Sequence, residues 1–320
     1  MSLDQQALSQ IVRFDPAQLQ SGDVLLMRGA GDFSTLIAWF GDSIYSHAAF
    51  MADPGTIYES ITKGVTSTPL AQRITAYDKV VFIDAYRPLS NDLSPLSQAD
   101  RDAVVAQGKQ FLGRPYAMDD LFMIGVLVAV RDKTLPVQDV RLRWLLHEAL
   151  DHVMNSSDQK MVCSEFVYRS FAENATTPTG RLAPEIVLSP PTDAPFPKVD
   201  WVELWKEIWP LLRPQRQAAL ASVGANALAA PPQGLSDNAL TAVAAPELDD
   251  DEFTRAKAAV RAQLGLTRPV SLAVNAVGGI EDPKPFPHPN PKMVTPHDLE
   301  MTPSHQKLGR IMQAPAGQGG

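Results

Sequence analysis

Short apolar runs closed by Gly, Pro, Asp or Ser punctuate the first third of the chain: Val24-Leu25-Leu26-Met27, His47-Ala48-Ala49-Phe50-Met51, Thr56-Ile57-Tyr58-Glu59 and Lys79-Val80-Val81-Phe82-Ile83. Their length and their breakers predict β-strands, three of them before residue 60. Apolar positions then recur at helical spacing over residues 98–111, over 121–153 with a break near Leu135-Pro136, and over 161–171. Strands and helices are partly segregated, which predicts an α+β domain, a small antiparallel sheet against helices, rather than a doubly wound parallel sheet.

After a proline-rich stretch at 190–197, residues 199–212 form an amphipathic pattern. Trp201, Trp205 and Trp209 recur every four residues, with Leu204, Ile208 and Leu212 on nearly the same face. That face packs on the preceding domain or, alternatively, meets a membrane surface or a partner protein. The acidic cluster Glu247, Asp249, Asp250, Asp251 and Glu252 opens a further short helix ending near Leu264, with its acids at the favourable N-terminal end. Pro283, Pro285, Pro287, Pro289 and Pro291 remove a backbone donor at every second position, which bars a helix interior or a central strand. The pattern predicts a domain over 1–198, a helical extension over 199–265, and a disordered tail over 266–320 that serves interaction or secretion. No internal repeat is visible.

Composition narrows the function classes. The chain has 320 residues, 45% of them hydrophobic, enough for one or two cores. With 28 basic and 36 acidic residues the net charge is −8, which supplies no electrostatic footprint for nucleic acid or for an anionic membrane. The first residues lack a basic and an apolar region, so no secretory signal is read and a cytoplasmic site is expected. The longest apolar run, 121–130, is about half of the ~20 residues that span a bilayer. A single cysteine, Cys163, rules out intrachain disulfides and a thiolate-rich zinc site.

That leaves burial or chemistry for Cys163. A nucleophilic thiol needs a base within reach and a third group to orient the base. His288, His297 and His305 fall in the expected tail, and His147 and His152 on the helical segment before Cys163; His47 alone sits in a strand-like run. His47 and Glu59 flank the turn former Asp53-Pro54-Gly55. In a hairpin centred on Asp53 they stand directly opposed, ~5 Å apart at their β-carbons, where a carboxylate fixes the imidazole tautomer. A shift of one residue turns them to opposite faces. Cys163 opens a helical pattern continued by Phe166, Val167, Ser170 and Phe171, so the helix dipole favours its thiolate. A buried, inert thiol is the competing reading.

Five blocks taken in order carry a resemblance: Ser21-Gly22-Asp23-Val24-Leu25-Leu26, Ser46-His47-Ala48-Ala49-Phe50, Ile57-Tyr58-Glu59-Ser60 with Gly64-Val65, Gly113-Arg114-Pro115-Tyr116, and Val162-Cys163-Ser164-Glu165-Phe166-Val167. Over roughly residues 20–190, they resemble the NlpC/p60 superfamily of papain-like cysteine hydrolases. The histidine block precedes the cysteine block, as in the circularly permuted, YiiX/YebB-like branch that includes relatives of lecithin retinol acyltransferase.

The resemblance implies Cys163 as nucleophile, His47 as general base and then acid, and Glu59 as the residue orienting His47. It sets Tyr116 in the active-site wall, where it either donates to an oxyanion or is a core tyrosine capping a turn. Asp23 reads as a shaper of the turn into the first strand. The 46 residues between Tyr116 and Cys163 suggest a helical insertion over about 121–157, either buried or a wall for an acyl chain. The implied activity is thiol-dependent cleavage or transfer of a lipid, acylated or peptide amide or ester, with no metal or organic cofactor. Two alternatives stand beside it: a peptidoglycan peptide amidase exported by a signal-independent route, and a catalytically silent lipid-binding module.

Overall fold

The computed structural model describes residues 12–117, 160–187, 285–286 and 291–315. Along the chain these form β1 (Val24–Gly29), α1 (Asp32–Phe40), β2 (His47–Asp53), β3 (Thr56–Ile61), β4 (Gly64–Pro69), α2 (Leu70–Ile74), β5 (Val80–Pro88), α3 (Gln98–Gln110), α4 (Cys163–Ala172), β6 (Ile186–Val187), β7 (Pro285–Phe286), α5 (Pro296–Met301) and β8 (His305–Gln313). Six strands make one sheet in the order β4-β3-β2-β1-β5-β8, antiparallel throughout. The architecture is α+β, as the segregation of patterns predicts.

Alternation along each strand divides the core into two layers. Val24, Leu26, Ala48, Phe50 and Ala52 pack on one face with Val104 of α3 and Phe166, Val167 and Phe171 of α4. Leu25, Met27, Ala49, Met51, Ile57 and Ile83 pack on the other with Leu19 and with Leu70 of α2. Strands covered on both faces cannot alternate with polar residues, which is why β1 and β2 read as unbroken apolar runs. α3 begins at a capping box: the Ser97 side chain accepts from the Asp100 N–H while the Asp100 carboxylate accepts from the Ser97 N–H.

The β2–β3 hairpin departs from the expected register. Asp53 pairs with Thr56 around the two-residue Pro54-Gly55 turn, where Gly55 takes φ +83°, and a bulge follows between Met51 and Asp53. Beyond the bulge Ala49 faces Glu59, Phe50 faces Tyr58 and Met51 faces Ile57. Glu59 is therefore opposite Ala49 and diagonal to His47, two positions from the predicted pairing. An even offset keeps both side chains on one face, so the contact survives the slip.

The expected disordered tail is corrected at its C-terminal end. Residues 291–315 are ordered: α5 starts from a Thr295–Asp298 capping box with Pro296 in its first turn, and β8 pairs with β5 at the sheet edge. Proline is harmless at a first helical turn, and β8 contains none. His305, expected to be unheld, is buried, with Nδ1 hydrogen-bonded to the Leu299 carbonyl at 2.6 Å. The structure also adds α1, α2, β4 and the short β6–β7 pair, whose β7 lies within the expected tail; the hydrophobic pattern predicts none of them. The helical segment 121–153, the tryptophan face at 201–209 and the acidic helix near 247–264 lie outside the described residues. Among those described, no helix is long and apolar enough to cross a membrane.

Candidate active site

His47 opens β2, Glu59 lies near the end of β3, and Cys163 is the first residue of α4. His47 Nε2 meets Glu59 Oε2 at 3.0 Å, with Glu59 wholly buried and His47 about one fifth exposed, at 21%. The imidazole also hydrogen-bonds the Cys163 thiol. The backbone N–H groups of Ala48 and Ser164 point at the same sulfur. Cys163 is itself buried.

The electrostatics follow from this chain of contacts. Burial pushes the Cys163 thiol up, but the neighbouring His47 and the two backbone donors outweigh it and bring the pKa below the usual thiol value. Burial likewise disfavours charged His47, yet the sulfur and Glu59 together raise the imidazole to about 9. Glu59 would also rise on burial; hydrogen bonds and charge from His47 and Arg73 hold it at about 2 instead. Near neutral pH these directions favour a thiolate beside an imidazolium.

The blocks that carry the resemblance build the frame around this pair. Buried Ser60 donates its hydroxyl to the Met161 carbonyl at 2.9 Å, tying β3 to the chain just before Cys163. Pro115 and Ala117 bond to Met161 on either side, so Tyr116 bridges to Met161, two residues before Cys163. Burial first, and then the charge of Cys163, raise the Tyr116 phenol well above its usual range, so its O–H stays a donor. Gly64 takes φ +103° where a Cβ would meet the Arg114 carbonyl oxygen at 2.5 Å, and Val65 donates to that oxygen at 2.9 Å. Asp23 lies elsewhere: it is buried, accepting from the Gln20 N–H at 2.9 Å and from Arg87 Nη2 at 2.8 Å, and it joins the turn before β1 to β5.

Val162, at the N-cap of α4, offers no side-chain cap. The first N–H groups of a helix have no partner within it, which makes the Cys163 N–H a donor for an anion forming next to the sulfur. Glu165, in the same turn, accepts from the Val162 N–H; burial pushes its carboxyl up to about 7 against the pull of Arg169 and Lys292. Ser164 is tied to the C-terminal segment, donating to the Val294 carbonyl at 2.6 Å.

Two residues of this frame escape sequence reasoning. Arg73, in α2, grips both carboxylate oxygens of Glu59, and no spacing rule links an arginine to a strand fourteen residues earlier. Ser60 lies inside a quoted block, yet its bond to Met161 joins positions 101 residues apart. Among the described residues no three His, Cys, Asp or Glu side chains group as metal ligands.

No protein-family profile and no curated protein matches the chain. Among solved structures the chain is similar to the crystal structure of the metalloprotein yiiX from Escherichia coli O157:H7, at 15% sequence identity and a TM-score of 0.39, over 92% of this chain and 99% of that one.

Proposed function

We propose that the protein is a thiol-dependent hydrolase or acyltransferase that forms a thioester on Cys163. The observation that carries this reading is a histidine hydrogen-bonded on one side to a buried carboxylate, at 3.0 Å, and on the other to a cysteine at a helix start. In that arrangement the base is oriented and the nucleophile ionised before substrate arrives. A circularly permuted papain-like topology, with the histidine strand preceding the cysteine helix, accounts for the order of the two blocks.

The thiol proton passes to His47, and the sulfur attacks an amide or ester carbonyl carbon, forming a C–S bond as the C=O π pair moves to oxygen. The oxyanion takes the Cys163 N–H and the Tyr116 hydroxyl. On collapse the C–N or C–O bond breaks, and the departing amine or alcohol takes the proton from the His47 imidazolium. Water, or an acceptor amine or alcohol, then gives its proton to His47 as it attacks the thioester, and a second collapse returns the thiolate. The substrate class is an acyl ester or amide drawn from a lipid or from an acylated or peptide amide.

The purified chain is incubated separately with phospholipid vesicles and with purified cell-wall fragments, and released fatty acid and new amines are measured. Release from vesicles that disappears in Cys163→Ala supports the lipid acyl reading; release from wall fragments alone moves the substrate to peptide amides. Turnover retained by Cys163→Ala on either substrate sinks the thioester mechanism.

A further inference from the structure

Arg73 closes a fork on Glu59: Nε donates to Oε1 at 3.0 Å and to Oε2 at 3.1 Å, and Nη2 donates to Oε1 at 2.7 Å. The chain path makes this contact. The edge strand β4 runs directly into α2, and the Leu70 N–H donates back to the Gly55 carbonyl at 2.8 Å, folding the helix over the same sheet face that carries Glu59. Glu59 has no exposed surface and Arg73 about one fifth, at 21%. The charged groups facing Glu59 among the described residues are His47 from β2 and Arg73 from α2, while β4 sets Thr66 beside it. Those facing His47 are Glu59 and Cys163, and the charge of Cys163 reaches Tyr116.

Four groups on four elements thus alternate in sign when ionised: Arg73 on α2, Glu59 on β3, His47 on β2 and Cys163 on α4. The geometry points to Arg73 as a positioning residue, which holds Glu59 as a carboxylate aimed at His47 and makes the ionised cluster neutral overall. The inference rests on Cys163 and His47 being the reactive pair. Buried net charge is costly, and this decides the direction of the effect. With Arg73 present, moving the thiol proton to His47 leaves the cluster at zero, and adding a proton makes it +1. Without Arg73 the same ion pair carries −1, and one added proton, on the sulfur or on Glu59, relieves it. The thiolate is then lost at higher pH. Deprotonating the imidazolium would take the cluster from −1 to −2, so the alkaline limit also moves up.

A structural brace alone would change the amount of folded protein, not the position of these limits. The test is the rate of iodoacetamide alkylation of the full chain against pH, a label that the single cysteine makes unambiguous. Wild type, His47→Gln, Arg73→Met, Arg73→Gln and Arg73→Lys are compared. Arg73→Gln retains an N–H donor for Glu59, which protects folding if Arg73→Met loses it. The expected result is that the acid limb moves up by about one pH unit in the neutral variants, a roughly tenfold slower reaction below the limb, and that Arg73→Lys returns it to near the wild-type position. Unmoved limbs with lower amplitude in the neutral variants overturn the proposal, as does loss of folding in both of them while Arg73→Lys is normal, which confines Arg73 to a structural role. A wild-type profile identical to that of His47→Gln overturns instead the reading of Cys163 and His47 as the reactive pair.

Discussion

His47 and His305 show how one residue type takes opposite states in one domain. Burial lowers both, but His47 has a thiol on one side and a carboxylate on the other and titrates near 9, whereas His305 falls to about 4. The Nδ1–H of His305 donates to the Leu299 carbonyl at 2.6 Å and its ring lies edge-on to Phe171, while Nε2 is buried without a partner, so a second proton would be an uncompensated interior charge. A group with a folded pKa of about 4 against 6.5 unfolded supports the fold fully above pH 6.5 and progressively less as pH falls toward 4. His305→Asn, which keeps a donor in place but cannot titrate, is expected to flatten this acid loss by about 1–3 kcal/mol. Urea unfolding at pH 7 and pH 4.5 measures it, and equal pH slopes for the two proteins refute the assignment. The roles of Cys163, His47, Glu59 and Tyr116 are suggested by residue types and block order, and the structure brings these four together. Arg73 is not suggested, because its contact depends on where α2 folds back.

At the level of elements, α3 and α4 reach the sheet through one close approach. Gly108 of α3 faces the ring of Phe50 on β2, and a β-carbon there would collide with that ring and crowd the Ser170 hydroxyl of α4. Phe50 cannot yield, since it is fully buried and stacks on Phe166 with centroids 5.4 Å apart. Alanine is favoured over glycine inside a helix by about 1 kcal/mol, so sequence preference predicts that Gly108→Ala stabilises. The packing reverses that sign: a net destabilisation of about 1–3 kcal/mol is expected, measurable by thermal or urea unfolding, and a stabilised variant would show that the helix simply shifts outward. The same logic explains what was legible in the elements. β1, β2, β3 and β5 announce themselves as short runs rich in apolar residues closed by turn formers, and α3 by apolar positions that recur at helical spacing. β4 does not, because its Gly64-Val65-Thr66-Ser67-Thr68-Pro69 sequence is a half-exposed edge with little apolar signal.

Across the whole molecule, the C-terminal strand closes the sheet that the first 90 residues begin. β8 covers the edge of β5, and Arg310 crosses to buried Asp84, Nε to Oδ1 at 2.6 Å and Nη2 to Oδ2 at 3.1 Å; Lys307 lies at 3.0 Å and the Tyr45 hydroxyl at 2.7 Å. Arg310→Met leaves Asp84 buried with Lys307 and Tyr45 alone and is expected to cost about 3 kcal/mol. Adding Asp84→Asn should recover much of that loss. A cost below about 0.5 kcal/mol, the range of an ordinary surface change, would mean that β8 is held by its backbone ladder alone. Residue periodicity, turn formers and block order by themselves determined the α+β class, four of the strands, the α3 and α4 helices and the candidate residues Cys163, His47 and Glu59, because those signals are local and survive without knowledge of neighbours. The tertiary structure decided the hairpin register, the grip of Arg73 on Glu59, the bridge of Tyr116 to Met161 and the return of residues 291–315 to the sheet. Each of these depends on contacts between segments whose meeting is set by the packing of the whole core, and no spacing along the chain encodes it.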